Sequence, residues 1–183
     1  MKRLLIAYLF IFIDIHITSG ASRISVTPTF AGYILLLSAF KLLENESPEF
    51  TRLRPFATGM SVYTGICWLL DAFGVTTSPN GVSLPSASLS LIGTVVSLYI
   101  AKGVVEGIKD MEVRHDADLK AGRLELVWKV LAAAQIASIV MLVFPPLAAA
   151  AVIVSFISTI MFLIRLYDCK AALDSIAWRD RET

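Results

Sequence analysis

The side chains best placed to do chemistry in this sequence are four ionisable groups set among apolar residues: Asp14, His16, Arg23 and Asp71. Asp14 stands about ten residues into the first apolar run and Asp71 about sixteen into the third, at depths where a carboxylate is costly unless paired or hydrated. Each is therefore a candidate for binding a small solute, an ion or a proton. The plainer account is structural. Charges near helix ends commonly reach the interface or fix a loop through one ion pair, and Arg23 is the basic side chain available to Asp14 or Asp71. Asp14 and His16 are two residues apart, so on an α-helix they point to nearly opposite sides and form no ready dyad. His16 alone reads as an interfacial polar residue rather than a metal ligand.

No catalytic set is visible elsewhere. The chain lacks a Gly-x-Ser-x-Gly elbow, a His-Glu-x-x-His pair, a P-loop and a dinucleotide fingerprint. Cys67 and Cys169 are too far apart in sequence for a Cys-x-x-Cys motif, and two cysteines make no disulfide framework. His115 with Asp116 and Asp118 is a weak ligand set. No catalytic residue, metal or cofactor is expected, and an intramembrane enzyme ranks third among the roles.

The elements that must position these groups are apolar runs. The chain has 183 residues, 56% of them hydrophobic and 17% charged, where a soluble domain runs near a quarter charged. The expected fold is all-α: a polytopic integral membrane helical bundle with six transmembrane helices in one domain. The spans are expected at about 4–19, 27–43, 55–74, 87–105, 124–144 and 147–167, followed by a short cytoplasmic tail, 168–183. Leu4–Ile17 covers only about 21 Å of a ~30 Å hydrocarbon core, so the first span must extend toward Ser19 or lean on neighbours. It also resembles a secretory signal, with a weak small-x-small site at Ser19-Gly-Ala21; an uncleaved first span is expected. Thr27-Pro28 and Ser47-Pro48-Glu49 are helix starts. A short interfacial helix is expected over Ser47–Arg54, with Pro55 opening the third span. Val75–Ser86 is an uncharged loop.

Basic residues orient the bundle. With both termini in the cytoplasm, fifteen of the sixteen Lys and Arg residues lie on or near the inner side, and only Arg23 lies outside. The location expected is the cell (inner or plasma) membrane of a bacterium. The net charge of +1 gives no electrostatic case for nucleic acid.

On the inner side, Lys102–Glu106 and Glu125–Lys129 are i,i+4 pairs and Arg165–Asp168 is an i,i+3 pair. A cytoplasmic helical hairpin over about 106–123, turning near Gly122, offers a surface for a protein partner. Small residues recur at Ala57, Ser61 and Gly65 and at Gly93, Ser97 and Ala101, and Gly103 with Gly107 forms a GxxxG; such stripes let membrane helices approach closely. Trp68, Trp128 and Tyr167 fall near span ends, as an aromatic belt would.

Six spans in about 20 kDa with both ends inside resemble, in size and topology alone, the substrate-binding subunits of energy-coupling-factor vitamin transporters. Leu4–Ile17 lacks the Ala-xxx-Ala pattern of those subunits, and no binding residue carries over. The expected role is a small-solute or ion transporter, or a membrane subunit of one, with an outward-facing polar site of Asp14, His16, Arg23 and Asp71 near spans one and three. The alternative is a non-catalytic membrane partner in assembly, regulation or immunity. An outward-opening polar cavity favours the first; a dry bundle with paired charges favours the second.

Overall fold

The computed structural model describes residues 1–12, 16–19, 22–25, 28–73, 84–140 and 145–182. Of 16–19, 22–25, 71–72, 84–90, 138–140, 145–152, 174 and 176–182 only the backbone is described. Among the described residues six helices form: α1 (Lys2–Phe12), α2 (Thr29–Leu43), α3 (Pro48–Ala72), α4 (Leu84–Arg114), α5 (Ala121–Val140) and α6 (Pro145–Glu182). The fold is helical, as composition predicts, with one addition between α1 and α2. There β1 (His16–Ser19) pairs antiparallel with β2 (Ser22–Ser25).

That hairpin corrects the first span. The helix is described to Phe12, and His16–Ser19 is a strand, so the helix does not continue to Ser19. The run His-Ile-Thr-Ser, Gly-Ala, Ser-Arg-Ile-Ser sets β-branched residues on both sides of a two-residue connection, which favours a ladder over another helical turn. The eleven residues of α1 reach only ~16 Å.

The start of α3 is a second correction. Ser47 caps it, its Oγ accepting from the Glu49 N–H at 3.2 Å, with Pro48 at the first helical position. The helix then runs through Pro55 without a break, so no separate interfacial helix precedes the third span. Pro55 withdraws one N–H from the Thr51 carbonyl, and Thr51 is exposed, so the interruption falls on an outer face of the helix.

The chain divides into two compact units. In the first (residues 1–42 and 51–97), glycines set the helix contacts. A Cβ at Gly32 would lie 2.7 Å from Ile11 Cγ1 and 2.9 Å from the Ala7 carbonyl oxygen, so α2 meets α1 backbone to backbone. Gly65 faces Phe30, whose ring meets Trp68 edge-on at 5.7 Å, and Gly93 of α4 faces Tyr63 of α3. Leu4, Tyr8, Leu36 and Phe40 are fully buried among these helices, and Arg3 Nη1 donates to Ser38 Oγ at 2.6 Å.

In the second unit (residues 43–50 and 98–183), α4 and α5 bury residues at matching spacing. On α4 these are Ala101, Val104, Ile108 and Met111, and on α5 Leu124, Val127, Leu131 and Ala134, each set at 3-4-3 spacing. Gly107 admits the buried Phe50 ring.

The helix α4 ends at Arg114 in a Schellman turn. The Ala117 N–H reaches the Glu112 carbonyl at 3.2 Å, the Asp116 N–H reaches Val113 at 3.4 Å, and Asp116 takes φ 46°. Lys120 at φ 59° completes the connection. The reversal therefore falls at 115–120, not at Gly122, which lies inside α5 with open space around it. The expected tail is helical as well, α6 continuing to Glu182.

Large apolar side chains face outward on several helices. On α6 the buried line is Ser158, Phe162, Leu166 and Cys169, while Phe156 (67% exposed), Ile157, Ile160 and Ile164 look out. Ser158 turns its hydroxyl to the Val154 carbonyl at 2.8 Å. Such a helix keeps its polar residue in and its isoleucines out, the reverse of a helix on a water-soluble surface. On α3, Val62, Ile66 and Leu69 are exposed in the same way. Among the described residues one stretch, Leu91–Arg114, is long and apolar enough by length and composition to cross a membrane; α2 is apolar but shorter.

Candidate functional site

The residues singled out in the sequence lie at the margins of the described structure. Asp14 lies outside the described residues. His16 opens β1 opposite Ser25, and Arg23 stands in β2 opposite Thr18, so the two belong to one hairpin within two register positions of each other. Asp71 belongs to the last turn of α3, of which the backbone alone is described. The expected pairing of Arg23 with Asp14 or Asp71 falls outside the described side chains.

The polar chemistry that is described gathers in the second unit, where the loop after α2 meets the far half of α4. Ser47 Oγ donates to Asp110 Oδ2 at 2.5 Å while capping α3. His115 Nε2 lies 3.0 Å from Glu46 Oε2, and Arg114 donates through Nη1 to the carbonyls of Asn45 and Glu46. On the α5 side, Lys109 Nζ reaches Glu125 Oε2 at 2.6 Å, and Lys129 reaches the other oxygen of the same carboxylate at 2.9 Å. Glu112 accepts from the Ala121 N–H at 2.9 Å, a carboxylate at the N-terminus of α5 where the helix dipole favours it.

Three of these pairs are the ones that spacing predicts: Lys102–Glu106 at 3.4 Å, Glu125–Lys129, and Arg165–Asp168 at 3.1 Å. The cross-element contacts of Ser47, Glu46, Lys109 and Glu112 are additions. Their one sequence signal is the opposition of an acidic loop, Glu44–Glu49, to the mixed run at Lys109–His115. His115 is turned to Glu46, and Asp118 accepts from the Lys120 N–H at 2.9 Å, so the weak metal trio serves as loop structure. Cys169 is buried; burial first, then the carboxylates of Asp168 and Glu112, push its thiol up to about 11. It is a protonated core residue at neutral pH, not a nucleophile.

A second feature lies in the first unit, a groove of ≈ 340 Å³ between α3 and α4. Phe56, Gly59, Met60 and Tyr63 line one wall and Ile92 and Gly93 the other. Only the Tyr63 hydroxyl among these side chains is polar, so the groove suits a hydrocarbon ligand and not an ion.

No protein-family model, no curated protein and no solved structure matches the chain. Its function therefore rests on the arrangement of its own residues. Among the described residues that arrangement is a polar network and an apolar groove.

Proposed function

We propose that the chain is a multi-pass protein of the cell (inner or plasma) membrane, with six crossing segments and both termini in the cytoplasm, acting as a non-catalytic membrane partner. The membrane part rests on the outward isoleucines and phenylalanines of α3 and α6, which have no place against water. Tyr167, with Lys170 Nζ 5.3 Å from its ring centre, fits the boundary where aromatic and cationic residues anchor a crossing helix. In this reading α1 makes the first, short crossing and the hairpin after it lies outside the hydrocarbon.

The partner role rests on the α4–α5 hairpin. Several of its charged groups serve its own structure: Glu112 caps α5, Lys109 holds Glu125, and Arg114 and His115 clasp the loop after α2. Val113 stands beside the turn, 83% exposed, among the exposed Asp116, Asp118, Lys120 and Arg123. A charged hairpin that carries one exposed apolar residue beside its turn suits protein contact better than solute passage. A photo-cross-linking amino acid replacing Val113 in growing cells should give one discrete protein adduct. Lack of any adduct, together with solute uptake that Asp14→Asn or Asp71→Asn abolishes, would favour a transporter whose polar site is Asp14, His16, Arg23 and Asp71. That second reading draws on β1 and β2 bringing His16 and Arg23 into one hairpin.

A further inference from the structure

The groove between α3 and α4 has a direction. From Pro55 to Tyr63 its α3 wall spans ~12 Å, close to the ~15 Å that one leaflet contributes to the hydrocarbon core. Arg52 is exposed one turn before Phe56, and Arg52, Phe56, Gly59 and Tyr63 follow one another at spacings of four, three and four along a single helix face. An arginine thus stands at one end of an apolar channel of leaflet length. Gly59 forms part of the floor, and a Cβ there would meet no atom within 4 Å.

We propose that this groove seats an acyl chain of an anionic phospholipid of the inner leaflet, with the lipid phosphate at the Arg52 guanidinium. The inference rests on the membrane reading above, which puts Arg52 at the cytoplasmic interface. A guanidinium matches phosphate geometry, and a basic residue at the membrane surface attracts an anionic headgroup. Hydrocarbon length and headgroup charge fall in the order that a phospholipid requires, which a free anion or a soluble apolar ligand would not use.

The test is lipid titration of the purified, delipidated full chain in mild detergent, read by native mass spectrometry. The probes are phosphatidylglycerol and phosphatidylcholine with identical acyl chains. Wild-type protein should prefer phosphatidylglycerol about fivefold, the preference expected of about 1 kcal/mol for one basic contact. Arg52→Gln should remove that preference and leave phosphatidylcholine binding in place. Gly59→Leu, which fills the floor without a clash, should weaken both lipids about tenfold or more while the thermal transition is kept. Equal affinity of wild-type protein for the two lipids would overturn the proposal, as would undiminished binding by Gly59→Leu. A photo-cross-linker replacing Gly59 that captures a second copy or another protein instead of lipid would overturn it too. Carbonate extraction of membranes separates the two layers of argument. Protein retained in the bilayer without lipid preference defeats the groove site alone, whereas protein released by carbonate defeats the membrane reading and the site with it.

Discussion

The substitution Gly107→Ala isolates one packing claim. In a helix interior, Gly to Ala ordinarily gains about 0.8–1 kcal/mol. At Gly107 the added Cβ would lie 2.6, 2.9 and 3.0 Å from three atoms of the Phe50 ring. Phe50 is 0% exposed, so the ring has no free space into which to retreat. Overpacking of that kind costs about 1–3 kcal/mol, which cancels the propensity gain and leaves a net loss of up to about 2 kcal/mol. At 183 residues the apparent Tm should fall by up to about 8 °C, measured by circular dichroism in detergent. Phe50→Leu in the same chain should recover part of the loss, a coupling of about 0.5–3 kcal/mol for residues in contact. Gly59→Ala is the control of opposite sign, because open space surrounds that position and only the propensity gain remains. If Gly107→Ala raises Tm in step with Gly59→Ala, the Phe50–Gly107 contact is refuted.

Two further outcomes follow from the second unit. Asp116→Gly should stabilise the protein by about 1 kcal/mol in thermal melts, since glycine adopts the φ 46° of the Schellman turn without the Cβ penalty; a lower Tm would mean that the aspartate itself holds the turn. Cys169, with its thiol raised from 9.0 to about 11, should resist iodoacetamide at pH 7.5 until the protein unfolds. Because the folded state holds that proton more tightly, its contribution is intact below pH 9 and is lost as pH rises toward 11. Cys169→Ala should flatten that part of the stability profile, and an unchanged slope would remove Cys169 as its source.

Local chemistry was legible in the sequence where it acts within one turn. Ser47-Pro48-Glu49 starts α3 as its types predict, and Lys102–Glu106, Glu125–Lys129 and Arg165–Asp168 pair at their spacings. Pro55 predicts a helix start, yet α3 runs through it, because one lost hydrogen bond does not end a helix. Glycine was over-read at Gly122, because the left-handed positions fell to Asp116 and Lys120. Apolarity hid the hairpin at His16–Ser25, whose β-branched alternation and two-residue connection are a strand signal inside a membrane-like composition. The contacts of Glu46 with His115 and of Lys109 with Glu125 depend on the loop after α2 and the α4–α5 turn, which local spacing does not encode. The small-residue stripes pointed to Gly65 and Gly93 as contact positions, and both meet aromatic rings. The groove floor at Gly59 lies outside those stripes, and only the placement of α4 beside α3 makes it a groove.

The central claim is a membrane bundle with its α4–α5 hairpin in the cytoplasm, and membrane-sided cysteine labelling tests it most directly. In a chain carrying Cys67→Ser and Cys169→Ser, Asn80→Cys or Asp116→Cys supplies the single thiol for an impermeant maleimide applied to intact cells. The account predicts labelling of the Asn80→Cys chain from outside and protection of the Asp116→Cys chain until the membrane is opened. Labelling of the Asp116→Cys chain in intact cells, with the Asn80→Cys chain protected, would contradict it.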